Sequence, residues 1–344
     1  MKLLIVVQHR FQHWTPPEWF VQRLRRDFPD IEIMQFAAYA DAEPHLSNTE
    51  VLITWSLRPE QFAQAQRLRW IHSPAAAVHA LLIPEIVASD VVVTNGSIVH
   101  GSVVAEHAMA LALALARRIP QAVRFQQQRL WAQDRIATEV PRPRELADAT
   151  LGLIGVGAIG REVARLALAF GMKLMAVRER PERGTDFLPD PTLSAKSADQ
   201  GGTTSVLVVG FEALDHVVAE SDFVVLAAPV TPKTHAMINA DRLKRMKPDA
   251  YLINISRGAL VDEEALAAAL RDRQIAGAAL DVFDREPLPD ASPLWDLPTL
   301  LITPHAAALT DKMWNRHYTL FADNLRRYLN GRPLFGVVDK LKGY

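Results

Sequence analysis

The chain predicts an α/β fold of two doubly wound parallel-sheet domains. Three observations carry that expectation. Strand-like and helical stretches alternate along the whole sequence; the 344 residues exceed one ordinary domain, and the 49% hydrophobic content suffices for two cores; and near residue 151 a strand runs through a glycine-rich turn into a helix.

The first hundred residues supply strands near 2–7, 31–36, 51–55, 69–72 and 91–94, with helices between them. A helix from about Ser102 to Arg118 leads through a glutamine-rich stretch to Trp131 and a Pro141-Arg-Pro143 spacer. Strands then recur near 151–155, 173–177, 223–227, 250–255, 276–281 and 300–303. A last helix, Asp311 to Leu329, is expected to return to the first domain. Residues 186–202, rich in Pro, Ser, Thr, Asp and Gly, read as a surface insertion without assignable chemistry. No internal repeat is present.

The turn reads Leu151-Gly-Leu-Ile-Gly155-Val-Gly157-Ala-Ile-Gly160. The helix it opens places Ile159, Val163, Leu166, Ala167 and Phe170 on one apolar face, and Gly171 ends it. In such a unit Gly155 permits the tight turn, Gly157 admits a pyrophosphate to the backbone, and Gly160 lets helix and strand pack closely. The anion rests on free N–H groups at the helix N-terminus, here those of Ala158 and Ile159. A glycine-rich turn without ligand is the plain alternative; the strand, helix and second strand in sequence argue against it.

At the end of the second strand an acid would bond the ribose 2′-hydroxyl of NAD. Here stand Arg178, Arg180 and Arg183, with Glu179 among them. Guanidinium forks suit a phosphate dianion, so NADP is expected. Glu179 keeps NAD open as the alternative.

Three later segments each follow an apolar run: Ser256-Arg257-Gly258, Asp284-Arg285-Glu286-Pro287 and Thr303-Pro304-His305. Ligands of open α/β sheets collect at the carboxyl ends of strands, so an Arg, a Glu and a His there converge on one crevice. An arginine grips a carboxylate, a histidine exchanges a proton near neutral pH, and a carboxylate beside it favours the imidazolium. This set suits reduction of a 2-keto acid, with a nicotinamide carrying the hydride. Singly, each is as readily a surface or turn residue.

The 38 basic and 39 acidic residues nearly cancel, leaving a net charge of −1 that offers no footprint for nucleic acid or an anionic membrane. With no cysteine, disulfides, thiolate metal sites and a cysteine nucleophile are excluded, and no metal is expected. The apolar start, Met1 to Val7, stops at Gln8-His9-Arg10 and reads as a strand, not a signal peptide. The apolar run Ala108 to Ala116 is too short to span a bilayer. A cytoplasmic location is expected.

Nearly the whole chain resembles the D-isomer-specific 2-hydroxyacid dehydrogenases. The likeness lies in Glu145-Leu-Ala-Asp-Ala-Thr-Leu-Gly-Leu-Ile-Gly, in residues 221–231 and 253–262, in Ala279-Leu-Asp-Val-Phe-Asp-Arg-Glu-Pro-Leu288, in Ser292-Pro-Leu-Trp-Asp-Leu-Pro and in Thr303-Pro-His-Ala-Ala307. It implies a Rossmann-type nucleotide domain, residues 102–308, inserted into a flavodoxin-like substrate domain of residues 1–101 and 309–344, hinged around a cleft. It implies that Arg257 anchors the substrate, that His305 exchanges the proton and that Glu286 pairs with His305. It places Ala228, Pro229, Ser256, Asp281 and His305 against the cofactor, Asp281 holding the nicotinamide carboxamide. Glyoxylate, hydroxypyruvate or a similar small acid is the implied substrate, and a homodimer the implied assembly.

Departures from the family pattern qualify those expectations. The substrate loop, usually ending in Gly-Val-Asp, reads Ser73-Pro-Ala-Ala76-Ala77-Val78-His79. The N–H groups of Ala76, Ala77 and Val78 suit a carboxylate, but Ala77 resists a conformation reserved for glycine. Ala308 stands where the family often has glycine. Trp131 matches a tryptophan that enters the partner subunit's site in some relatives, or else is a core aromatic. A non-catalytic NAD(H)-responsive corepressor of this fold and a phosphite- or formate-type dehydrogenase are the rival readings.

Overall fold

The computed structural model describes residues 1–7, 11–188 and 206–343, which divide into two compact units. One comprises Met1–His100 with Thr310–Tyr344, the other Gly101–Leu309.

The first unit carries strands β1 (Lys2–Val6), β2 (Glu32–Phe36), β3 (Val51–Thr54), β4 (Trp70–Ser73) and β5 (Val92–Asn95). They form one parallel sheet in the order β2-β1-β3-β4-β5, the flavodoxin-like arrangement. β1 and β3 are mostly apolar runs and β4 is buried throughout, because helices cover both faces of a parallel sheet. One face packs on helices Glu18–Asp27 and Met313–Leu329, so the last helix does return to this unit. Trp70 is fully buried there, stacked on Phe321 and Tyr328, and its indole N–H donates to Thr94 Oγ1 at 2.8 Å. Truncating such a side chain to alanine costs about 3–5 kcal/mol.

The second unit carries β6 (Thr150–Ile154), β7 (Lys173–Val177), β8 (Val206–Val209), β9 (Phe223–Leu226), β10 (Tyr251–Asn254), β11 (Gly277–Leu280) and β12 (Leu300–Ile302). All pairs are parallel, in the order β12-β11-β10-β9-β6-β7-β8. The order reverses between β6 and β9, so the loops after these two strands flank the crevice where such sheets bind ligands. β8 is absent from the sequence expectation. Its four apolar residues follow the polar stretch that reads as insertion, and no long amphipathic period frames them. The expected insertion itself falls mainly outside the described residues, which break off after Leu188.

The helix leading into the second unit begins at Ser97, five residues before the expected start, and runs to Ala116. At twenty residues it is long and apolar enough to cross a membrane by composition alone. Its Ala105, Ala108, Ala112 and Ala116 are instead fully buried in the core of this unit, beside Met109 and Leu111. Burial, rather than the shortness expected of it, marks it as a core helix.

Candidate active site

Gly155 directly follows β6 with φ +100°, and a Cβ there would lie 2.6 Å from the Ala228 nitrogen. Glycine is therefore required twice, by the left-handed backbone and by the loop after β9. A Cβ on Gly160 would meet the Gly155 carbonyl at 2.2 Å, which holds this turn and its helix in close apposition. Gly157 differs. It is exposed, and a Cβ there would meet nothing within 4 Å. The helix Ala158–Ala169 makes its first internal bond from Arg161 N–H to Gly157 O, at 3.0 Å, leaving the amides of Ala158 and Ile159 outside the helical ladder. Open space before a helix N-terminus with unspent donors fits a dinucleotide pyrophosphate. On the sheet side Val163, Ala164, Ala167 and Leu168 are buried, whereas Phe170, expected on that face, is exposed because the helix has ended before it.

Arg178 directly follows β7, and its guanidinium is engaged within the turn. It is 7% exposed, and its Nη1 donates to Asp186 Oδ1 at 2.7 Å and to the Gly184 carbonyl at 3.0 Å. Arg183 Nη2 approaches the other oxygen of Asp186 at 2.6 Å. The two guanidiniums hold the Asp186 carboxyl below the usual range against the opposing effect of burial, the Arg178 hydrogen bond being the largest cause. Arg180 is exposed.

Asn254 ends β10, is fully buried, and works in both directions. Its amide donates to the Arg257 carbonyl at 2.8 Å, while its Oδ1 accepts from Ser256 N–H at 3.1 Å. The Ser256 hydroxyl donates to the Ala228 carbonyl at 2.6 Å, tying together two of the expected cofactor positions. Pro229, next in chain, is exposed, and its carbonyl accepts from Thr234 Oγ1 at 2.7 Å. Gly258 has no room for a side chain, since a Cβ would fall 1.9 Å from the Phe283 carbonyl carbon. The arginine loop is thereby pressed against the loop that carries Glu286. Burial lowers the Arg257 pKa, and the Glu286 charge partly offsets it.

Glu286 accepts from Phe283 N–H at 3.0 Å with one oxygen and meets His305 Nδ1 at 2.6 Å with the other. Burial pushes the Glu286 carboxyl up, but His305, the Phe283 amide and Arg257 together hold it below the ordinary range. An ionised carboxylate accepts only, so His305 Nδ1 carries the hydrogen, and Nε2 is the nitrogen left for a reacting oxygen.

Asp281, directly after β11, already has partners within its own unit. It is fully buried. Oδ1 accepts from the Thr303 hydroxyl at 2.6 Å and from Ala306 N–H at 2.9 Å, and Oδ2 from Ala307 N–H at 3.0 Å. His107 Nε2 lies 3.5 Å away. These groups outweigh burial and keep the carboxyl ionised at lower pH than usual. Its oxygens face the loop around His305 and hold it. Sequence reading passed over His107, Thr303 and Asn254; Thr303 lay inside the Thr-Pro-His run, but nothing in a linear pattern pairs it with Asp281.

In the first unit Ala76 and Ala77 are half-buried and Val78 is buried. The loop carbonyls are engaged: Ala75 accepts from Gly96, Ala76 from Asn95 Nδ2, and Val78 from Leu81 and Leu82. None of these bonds uses the N–H groups of residues 76–78. Ala77 is not among the left-handed residues, so the loop avoids the conformation that alanine resists.

Residues 109–307 match the family of D-isomer specific 2-hydroxyacid dehydrogenases through its NAD-binding domain. The chain belongs to that family. Among sequence relatives, glyoxylate reductase of Pyrococcus furiosus is 34% identical over 292 residues, 82% of this chain and 79% of the relative. D-3-phosphoglycerate dehydrogenase of a Synechocystis strain is 35% identical over 90% of this chain, which spans only 54% of that protein's length. Among solved structures, the NADPH-dependent glyoxylate/hydroxypyruvate reductase of Sinorhizobium meliloti, in complex with NADP and sulfate, is 26% identical with a TM-score of 0.77, each chain fully covered. A family member from Aeromonas salmonicida gives 29% and 0.76, covering 98% of this chain and 99% of its own.

Proposed function

We propose that the protein reduces a small 2-keto acid to the D-2-hydroxy acid with NADPH. The observation that carries this reading is the 2.6 Å contact of Glu286 with His305, set beside Arg257 at the carboxyl ends of β10, β11 and β12. The nucleotide, when bound, supplies the hydride. Gly155, Gly157, Ala158 and Ile159 receive its pyrophosphate, and Arg178 with Arg180 its 2′-phosphate. The pairing with Glu286 favours imidazolium at His305, which gives its Nε2 proton to the carbonyl oxygen as the hydride arrives. Arg257 grips the substrate carboxylate with its planar fork of donors; within the first unit the amides of Ala76, Ala77 and Val78 suit a carboxylate. Residues 1–100 and 310–344 act as the substrate domain, and 101–309 as the nucleotide domain.

The relatives' names support glyoxylate or hydroxypyruvate, and the NADP complex of a related reductase supports the cofactor, with NAD as the alternative. Neither rival reading gains from the family match. A homodimer is part of the proposal: Trp131 is 90% and Val140 81% exposed, on the same stretch of chain as exposed Ile119, Val123 and Leu130, apolar side chains that a second copy would cover. The cysteine-free chain suits the cytoplasm. NADPH oxidation across a panel of 2-keto acids tests the reading, with His305→Gln as control. Turnover with no panel member, or equal turnover by the variant, overturns it.

A further inference from the structure

The Asp186 carboxylate answers two guanidiniums at once. Oδ1 takes Arg178 at 2.7 Å and Oδ2 takes Arg183 at 2.6 Å. Arg178 is held from two further sides, by the Gly184 carbonyl at 3.0 Å and by the Phe187 ring, whose centroid lies 5.7 Å from its guanidinium carbon. Each guanidinium offers one nitrogen to one oxygen of the carboxylate, the charge-assisted contact that arginine also makes with phosphate. A guanidinium bonded to a carboxylate in this way cannot give the same N–H to a second anion. A ribose 2′-hydroxyl asks for no such donor.

We propose that Asp186 is a specificity-determining residue that occupies the Arg178 and Arg183 donors as an internal substitute for the 2′-phosphate of NADP(H). Binding of NADP(H) displaces the carboxylate, so Asp186 weakens affinity for the phosphorylated dinucleotide and leaves NAD(H) untouched. The inference rests on the reading that the turn after β7 receives the adenosine ribose. It gives the buried Arg178 guanidinium a charged partner within the chain, and it makes cofactor preference adjustable at an acid placed in neither the hydride-transfer nor the substrate machinery.

Calorimetric titration of the full chain with adenosine 2′,5′-bisphosphate and with 5′-AMP tests this without turnover. Asp186→Asn is expected to tighten the bisphosphate about tenfold while AMP changes less than twofold. Asp186→Ser should do the same, and thermal melts establish that both variants fold. Arg178→Gln should abolish the advantage of the bisphosphate over AMP. If the wild type prefers the bisphosphate but neither Asp186 variant tightens it, Asp186 only orders the loop and the inference fails while the NADP reading stands. If wild type and Arg178→Gln bind both nucleotides equally, the phosphate pocket is misplaced and both fall.

Discussion

His305 Nδ1 lies 2.6 Å from Glu286 Oε2, although the two residues sit on loops after different strands, nineteen positions apart. The carboxyl is held ionised below the usual range by that contact, by an amide and by Arg257, against burial. A fixed negative charge at this distance stabilises imidazolium, the form that donates in keto-acid reduction. Replacing Glu286 by Gln removes that charge and should lower kcat for reduction about tenfold or more while NADPH affinity changes little. Turnover is to be compared for both enzymes after a deuterated cofactor has established that hydride transfer limits the rate. A kcat that stays in place rules out support of His305 by Glu286.

Arg257→Lys keeps the charge but loses the planar fork. Catalysis should fall at least about tenfold through a higher KM for the keto acid, the scale of a lost charge-assisted hydrogen bond. NADPH affinity by fluorescence titration should change little. Equal losses in both would move Arg257 into the dinucleotide site.

Asp281→Asn separates positioning from ligand contact. The carboxylate accepts three hydrogen bonds from the His305 loop, and an amide nitrogen in place of one oxygen faces donors. A drop of about 1–3 kcal/mol in stability is expected from the buried mismatch, together with a lower kcat. The NADPH dissociation constant should stay within about twofold. A large rise in that constant with kcat preserved would mean that Asp281 meets the nicotinamide after all.

Acid should loosen the first unit. Burial lowers the pKa of His72 from 6.5 to about 3; burial, with Arg316 adding to it, lowers that of His100; and burial with the neighbouring imidazoles lowers that of His317 well below 6.5. Unfolded histidines take up protons near pH 6.5 while these stay neutral. Their full stability is thus present above pH 6.5 and is lost as pH falls toward the folded values. Each costs about 1.4 kcal/mol per pH unit while it remains neutral. Melting temperatures at pH 7.5 and 5.5 should diverge strongly in wild type and less in His72→Gln. An identical pH dependence in the two proteins would clear His72 of any part in it.

Strand positions were legible where an apolar run had clear ends, as in β6 and β7, whose burial on both faces leaves an unbroken hydrophobic signature. β8 was not legible, because Val206–Val209 borders a polar stretch and is only partly buried, so it lacks that contrast. Arg257, Glu286 and His305, the trio proposed for catalysis, stood out by residue type and by their place after strands. The partners of Arg178 and Asp281 did not. Arg178 reads as a free phosphate ligand until Asp186 closes on it, eight residues away. Asp281 accepts from the amides of Ala306 and Ala307, more than twenty residues away, and no linear pattern pairs them. Both outcomes depend on which way a loop folds, and residue type alone does not encode that direction.

His305 has φ +51°, a left-handed backbone that side chains with a Cβ adopt reluctantly. Its N–H donates to the Asp281 carbonyl at 2.8 Å, so the residue is clamped where glycine would be at ease. A screen that rewards thermal tolerance alone would drift toward glycine at this position and discard the imidazole. Durability and turnover pull the same codon in opposite directions.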